Sequence, residues 1–252
     1  MSSRGIKTGK FAKMRKFETP TELPDEYRDL LLKMLFVQAD TEFASVEQHR
    51  DWQLNAPTAE DRWVLARIVA DEVRHGLTMV RLLKSFGDDG EKSIDTLMKR
   101  RMGDHTLDAF NHEFKNWAHV CAFTCFVDRV GLYQLESFFE CSFAPLARQI
   151  PLMLNEEQLH IGFGLNGLRK IIDRPDYPGS KDDVQEAVNY WVPKALDMFG
   201  WKKSRNSELA LELGIKRWQN EEMRERYYKE ISGICESLGI ETPPYEKDRM
   251  IN

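Results

Sequence analysis

A glutamate and a histidine three residues apart, Glu72 and His75, sit in the stretch Asp71-Glu72-Val73-Arg74-His75, inside a long run of apolar residues at helical spacing. On a helix, side chains three apart leave from one face about a turn apart. A carboxylate and an imidazole so placed can bind one metal ion or bridge two. A second Glu-x-x-His lies at Glu157 and His160. Either pair alone is a weak signal, because a Glu and a His fall on many surface helices. The register of two further carboxylates tightens it. A four-helix di-metal site takes one lone carboxylate from each of two helices and one Glu-x-x-His from each of the other two. Glu42 precedes Glu72, and Asp128 precedes Glu157, by nearly equal intervals of about 30 residues. The spacing predicts two antiparallel helix pairs with ligands near mid-length, hence an all-α bundle.

The rest of the chain is consistent with a bundle. At 252 residues it can bury one large core or two small ones. A hydrophobic share of 42% and a charged share of 31% are those of a globular protein. A net charge of −5 and a pI near 5.8 carry no nucleic-acid signature. No window approaches the apolar length of a membrane span. Arg4, Lys7, Lys10, Lys13, Arg15 and Lys16 form a basic arm over residues 1–20, with no apolar stretch behind it that would make a secretory signal. The arm reads as solvated, or as a contact for an anion or another protein chain. Cys121, Cys125, Cys141 and Cys235 make no Cys-x-x-Cys pair, and Cys121 and Cys125 read as helix packing. A reducing, cytoplasmic setting is expected.

Helix signals run through residues 21–241. Pro24 opens a helix from Asp25 to about Asp51 that carries Glu42, with Glu47 as a competitor on another face. Asn55-Ala56-Pro57 breaks it. Thr58, with Asp61 three residues on, caps a second long helix that runs to Phe86 and stops at Gly87. A short helix lies between Asp88 and Met102, and residues 103–114 read as irregular. A third long helix is expected from Phe114 to about Ser142, and a fourth from Pro145, kinked or divided at Pro151. With those ends, Asp128 and Glu157 both lie about 18–20 Å from the shared turn, which favours Asp128 over Glu136 as the third-helix ligand. Gly162, Gly164 and Gly167 suggest close packing or a bulge. Ser180 caps a further helix that Pro193 should interrupt, and one or two more helices fill Glu208–Leu238. The tail over 242–252 reads as irregular.

Three stretches together resemble a known family. They are Asp71-Glu72-Val73-Arg74-His75-Gly76, Phe123-Thr124-Cys125-Phe126-Val127-Asp128-Arg129, and Phe143-Ala144-Pro145-Leu146-Ala147-Arg148 leading to Glu156-Glu157-Gln158-Leu159-His160. They are similar to the di-iron ring epoxidases that act on aromatic coenzyme A thioesters, phenylacetyl-CoA or benzoyl-CoA. The resemblance covers about Leu23 to Ile240. It implies a ferritin-like four-helix bundle with additional C-terminal helices. It puts the metal ligands at Glu42, Glu72, His75, Asp128, Glu157 and His160. It also implies two iron ions, O2 as co-substrate, and electrons from a separate reductase carrying NADPH, flavin and iron–sulfur chemistry. A related helical subunit or a homodimer would complete the assembly. Arg74 and the 123–129 stretch look closer to the benzoyl-CoA enzymes; Leu23-Pro24-Asp25-Glu26-Tyr27 and the chain length look closer to the phenylacetyl-CoA ones.

The donor set agrees with iron on chemical grounds. Four carboxylates and two imidazoles suit iron or manganese and make a poor closed zinc site. Four carboxylates carry −4, which balances two divalent ions. Asp71 is placed to accept the second N–H of a ligating histidine, and Arg74 to pair with a carboxylate beside the site. Lys99, Arg100 and Arg101 are candidates for the coenzyme A phosphates, though such a run is usually a solvated face. Phe123, Phe126 and Phe163 line a pocket or simply fill the core. Three rivals share the bundle: a ferroxidase, a radical-generating subunit, for which Tyr133 is poorly placed, and a structural subunit, which would have lost ligands.

Overall fold

The computed structural model describes residues 14–251. Among them the secondary structure is helical, apart from one isolated parallel bridge between Phe17 and Phe143. The chain begins with α1 (Asp25–His49), a single turn α2 (Trp52–Asn55), α3 (Ala59–Lys84) and α4 (Asp88–Leu97). Next come α5 (Trp117–Ala122), a π-helical segment (Phe123–Val127) and α6 (Asp128–Ser137), which form one continuous rod. The short α7 (Ala144–Ala147) leads into α8 (Ile150–Asp173). Finally α9 (Lys181–Asp197), α10 (Arg205–Glu212) and α11 (Asn220–Leu238) pack around the bundle.

Local chemistry sets most of these ends. Thr58 accepts a hydrogen bond from the Asp61 amide at the start of α3, and Ser180 with Asp183 forms a reciprocal capping box at the start of α9. Pro151 lies in the first turn of α8, where its missing N–H costs nothing, so it starts that helix after α7 has ended. Gly239 closes α11 in the left-handed conformation at φ 65°.

Three expectations need correction. The third rod ends at Ser137, not near Ser142, and the turns at 138–140 that follow are not helical. The fourth long helix begins at Ile150 rather than at Pro145. Pro193 does not interrupt α9, which continues to Asp197. Val192, Ala195 and Leu196 around it are fully buried, and that packing outweighs the lost backbone hydrogen bond.

The bundle proper is α1 with α3 and the α5–α6 rod with α8. Its apolar interior divides in two. One cluster holds Leu65, Phe123, Phe126, Leu168, Trp191 and Tyr227. The other holds Tyr27, Leu31, Leu35, Met79, Leu83, Phe143 and Met153. On α1, α3 and α8 the residues between these clusters are Glu42, Glu72 with His75, and Glu157 with His160. The apolar ends carry the stability of the bundle, and the polar layer between them is free to be chemical.

Of the basic arm, Arg4, Lys7, Lys10 and Lys13 lie outside the described residues. Lys16 donates to the carbonyls of Glu140 and Cys141 at 2.6 and 3.0 Å. The Phe17 amide donates to Ser142 O at 2.8 Å. This part of the arm therefore straps the turn before α7. No described helix is long and apolar enough to cross a membrane, and all four cysteines are buried and unpaired.

Candidate metal centre

Glu42, Glu72, His75, Asp128, Glu157 and His160 converge in the polar layer, and all six are buried. They form two overlapping groups whose donor atoms lie within 4.8 Å of one another: Glu42, Glu72, His75 and Glu157, and then Glu72, Asp128 and His160. Glu72 belongs to both groups and so sits where a bridging carboxylate must. The two Glu-x-x-His pairs run antiparallel. His75 Nδ1 is 3.3 Å from Glu157 Oε1, and His160 Nδ1 is 3.5 Å from Glu72 Oε1. Glu47 and Glu136 are in neither group. Glu47 instead accepts from the Met102 amide at 2.9 Å. Tyr133 turns outward and donates to Glu230 at 2.7 Å.

Electrostatics shows which charge such a layer favours. Burial, with the neighbouring carboxylates Glu157 and Glu42, raises Glu72 well above the usual carboxylate range. Burial and Glu157 do the same to Asp128. Burial works against a charged His75, yet the nearby Glu157 and Glu42 carboxylates, 3.3 and 3.4 Å from its Nδ1, outweigh it and hold its pKa up at about 11. His160 is held at about 12, burial again being overcome by Glu157 and Glu72. Positive charge is thus strongly favoured at the centre of the layer. His75 Nδ1, His160 Nδ1 and Asp128 Oδ2 are buried without a hydrogen-bond partner. Orphaned donors aimed into a ring of carboxylates fit a pair of divalent cations, and the oxygen-rich set suits iron or manganese.

A further layer of carboxylates faces the other nitrogens of the imidazoles. His75 Nε2 lies 3.0 Å from Glu156 Oε2. His160 Nε2 lies 3.6 Å from Asp71 Oδ2, beyond hydrogen-bond range. Arg74 joins the two sides: it pairs with Glu156 and approaches Asp71 Oδ1 at 3.7 Å. Nδ1 therefore faces the centre in both histidines, and Nε2 faces a carboxylate that can fix the tautomer. Glu156 has the same place before Glu157 that Asp71 has before Glu72. That symmetry was available in the sequence, but sequence reasoning used only Asp71.

The third rod reaches the centre through its π segment. A π turn shifts the helix by one residue and loosens its carbonyls from their usual partners. Here the Arg129 Nε donates to Cys125 O at 3.1 Å, and the Tyr227 hydroxyl donates to Phe126 O at 2.9 Å. The glycines of α8 lie against this segment. A Cβ on Gly164 would fall 2.4 Å from Cys125 N, and one on Gly167 would fall 2.4 Å from Cys121 Sγ. Gly162 has no neighbour on that side.

A small cavity of about 40 Å³ reaches the ligands, lined by Thr41, Glu42, Glu72, Asp128, Gly131 and Glu157 among others. It adjoins a larger one of about 290 Å³, with which it shares Gln38, Thr41, Gly131 and Met198. The larger cavity has apolar walls from Leu30, Met34, Val37, Leu107, Phe138 and Phe199, and two cations, Lys33 and Lys216. Lys216 is buried, its Nζ donating to Asn220 at 2.5 Å, and burial pushes its pKa down to about 8. Gln38 donates to Glu42 Oε1 at 2.7 Å and so ties the cavity wall to the ligand layer. Gly131 has only Glu157 Oε2 near its Cβ position, at 4.0 Å, which leaves the space above that carboxylate open.

Lys99, Arg100 and Arg101 are not at this cavity. Arg100 pairs with Asp40 and lies over the Phe36 ring at 4.7 Å, and Arg101 donates to Met98 O at 3.2 Å. Phe123 and Phe126 are fully buried core, and Phe163 lines a different groove. Nothing in the local sequence marked Lys216, which lies in a loop and reaches the cavity only through the fold.

Comparison with known proteins extends over the whole bundle. Benzoyl-CoA oxygenase component B of Aromatoleum evansii is 35% identical over 217 residues, which cover 77% of this chain and 46% of that protein. One subunit of the 1,2-phenylacetyl-CoA epoxidase from Escherichia coli (strain K12) is 28% identical over 224 residues, 88% of this chain and 71% of that one. The chain thus spans about half the length of the benzoyl-CoA relative. Residues 14–250, which include all four bundle rods, both ligand motifs and the outer helices, match the model of one family. The chain belongs to the phenylacetic acid catabolic protein family.

Proposed function

We propose that this chain is the catalytic subunit of a di-iron monooxygenase that uses O2 to epoxidise the aromatic ring of a coenzyme A thioester such as phenylacetyl-CoA or benzoyl-CoA. The observation that carries the reading is the conjunction of six buried ligand residues with an apolar cavity that opens onto them. The names of the two relatives, an oxygenase component and an epoxidase subunit, support the reaction class.

Bound iron would supply the activation of O2. The protein's own residues bind and orient. Glu42, Glu72, His75, Asp128, Glu157 and His160 would hold the ions. Gln38 holds the Glu42 carboxylate in place from the cavity side. The apolar wall excludes water and accepts an aromatic ring, and Gly131 leaves room for it over Glu157. A free aromatic carboxylate beside four acidic ligands would be repelled or would bind the metal itself, whereas a thioester is neutral there. Lys33 is exposed near the opening and Lys216 lies deeper, which suits the phosphates and the pantetheine amides of a coenzyme A handle. Binding energy from that handle positions the ring. The overall reaction consumes the arene, O2, two electrons and two protons, and yields the epoxide and water. The electrons come from a separate reductase using NADPH, flavin and an iron–sulfur centre.

The test is to load the chain with iron, reduce it through a reductase, and offer each thioester and each free acid under labelled O2. Label in the ring of a thioester product is expected. Label in the free acids alone would overturn the proposal.

A further inference from the structure

Gly162 is unexplained by the interior of the protein. Its neighbours Gly164 and Gly167 are each forced by a close approach of the α5–π segment, but a Cβ on Gly162 meets nothing. It points outward, into a groove of about 680 Å³ between α3 and α8 whose walls include Val64, Leu159, Phe163 and Asn166.

That groove belongs to a longer pattern. On α3 the residues Trp63, Ala66, Ala70, Val73 and Leu77 recur at alternating steps of three and four, and all five are exposed. Trp63 keeps 65% of its surface, and Val73 and Leu77 keep 43% and 42%. On α8 the same rhythm runs through Leu152, Asn155, Leu159, Gly162 and Asn166, with Leu152 56% exposed. This is the seam spacing of a coiled coil, and it faces solvent on both helices. The two seams are also in register. Glu72 faces His160 and His75 faces Glu157 across the antiparallel pair. The same alignment sets Ala66 beside Asn166, Ala70 beside Gly162, Val73 beside Leu159 and Leu77 beside Asn155. The Ala70–Gly162 layer is the smallest, and larger apolar side chains lie beyond it, Val73, Leu159 and Leu77 on one side and Trp63 on the other. Small residues at the centre let another backbone approach, and apolar residues beyond them grip it.

The charges around the seams select the visitor. Arg62, Arg67, Arg81, Lys84 and Arg169 are exposed along this face, against Glu60 and Asp173. The face is basic on a chain whose net charge is −5. A second copy of this chain, seated here by a two-fold axis, would set arginines against arginines.

We propose that the α3–α8 face is a docking surface for an amphipathic helix of a different protein, one with apolar residues at coiled-coil spacing and acidic residues along its flanks. The inference goes beyond the catalytic reading and holds for any metal or substrate. Its floor includes Arg74, Glu156 and Asp71, so the docked helix covers the side from which both histidines are oriented.

The probe is a labelled synthetic helix with leucine at the seam positions and glutamate along the flanks. It is compared with a second peptide of the same seam and lysine flanks, each titrated against the full chain by fluorescence anisotropy. The acidic helix should bind, and the basic one should bind at least tenfold more weakly. Leu77→Glu should weaken the acidic helix by tenfold or more. Gly162→Leu should do the same without lowering the melting temperature or the iron content, since its added side chain enters open space and leucine favours the helix more than glycine. Absence of binding, equal binding of both peptides, or unchanged binding to both variants would overturn the proposal. So would self-association of the wild-type chain in sedimentation that Leu77→Glu abolishes, which would assign the face to a second copy.

Discussion

The two halves of the ligand layer do the same work with different backbones. In the α1–α3 half both ligand-bearing helices are regular, and Glu42 is delivered by an uninterrupted helix of 25 residues. In the other half Asp128 is delivered by a rod that changes to π winding immediately before it. The carboxylate there is an aspartate, one methylene shorter, on a rod that α8 approaches closely enough to exclude any Cβ at Gly164 and Gly167. The regular half can be specified by a repeating pattern alone. The irregular half needs side-chain partners for its loosened carbonyls, and it takes one from Arg129 further along the same rod and one from Tyr227 on α11. The helices outside the four-rod bundle are thus part of what places one ligand.

Removing one ligand from each half tests whether both halves hold metal. His75→Ala and Glu157→Ala should each leave fewer than two iron ions per chain by elemental analysis. Retention of both ions in both variants would overturn the assignment of these residues as ligands. Next in size are the residues that orient the histidines. Glu156→Gln should weaken iron binding by about 10–100-fold, and Arg74→Ala should weaken it on both sides at once. An iron titration in which Arg74→Ala matches the wild type would show that the link between the halves is a surface ion pair.

The glycines sharpen the contrast between regular and irregular backbones. A Cβ on Gly164 would strike backbone atoms of α5 and of the π segment, at 2.7 Å from Cys121 O and 2.4 Å from Cys125 N. A Cβ on Gly76, in the regular half, would strike only the ring of Phe43, at 2.8 Å, and that ring is half-buried and can turn. Gly164→Ala should therefore lower stability by about 1–3 kcal/mol or more, and Gly76→Ala by less. Equal shifts in denaturant midpoint would show that the π segment yields as easily as a side chain.

The smallest effect concerns His49, which closes α1 and faces Thr124 in the π segment at 3.5 Å. Burial holds its pKa down at about 4, against an unfolded value near 6.5. The unfolded chain therefore binds the proton more readily. Stability from the neutral imidazole is complete above about pH 6.5 and is lost as pH falls towards 4, by up to about 1.4 kcal/mol per pH unit. His49→Gln should flatten that acid limb in melts of the metal-free chain. An unchanged limb would place the acid sensitivity elsewhere.

How much of this was legible in the sequence differs between the halves in the same way. Helix starts at Asp25, Thr58 and Ser180 rest on short-range capping chemistry, and the structure places them within a residue of the reading. The third and fourth rods were read with the wrong ends, Ser142 for Ser137 and Pro145 for Ile150. The connection between Ser137 and Ile150 is therefore longer than equal depths of Asp128 and Glu157 require. Asp128 still lies with Glu72 and His160, because the ligand spacing along each helix is independent of where the helix stops.

The amino-acid sequence by itself determined the all-helical fold, the family, and the set of carboxylates and histidines able to meet in one layer, because helical periodicity is a local property of the chain. Tertiary structure alone decided the rest. It closed the π turn with side chains from a distant helix, carried α9 through Pro193, and drew Arg100 away to Asp40. It also brought Lys33 and Lys216 to one cavity, and left the α3 and α8 seams facing solvent in register. Each of those depends on which surfaces bury one another, and residues far apart in the chain carry no local mark of that.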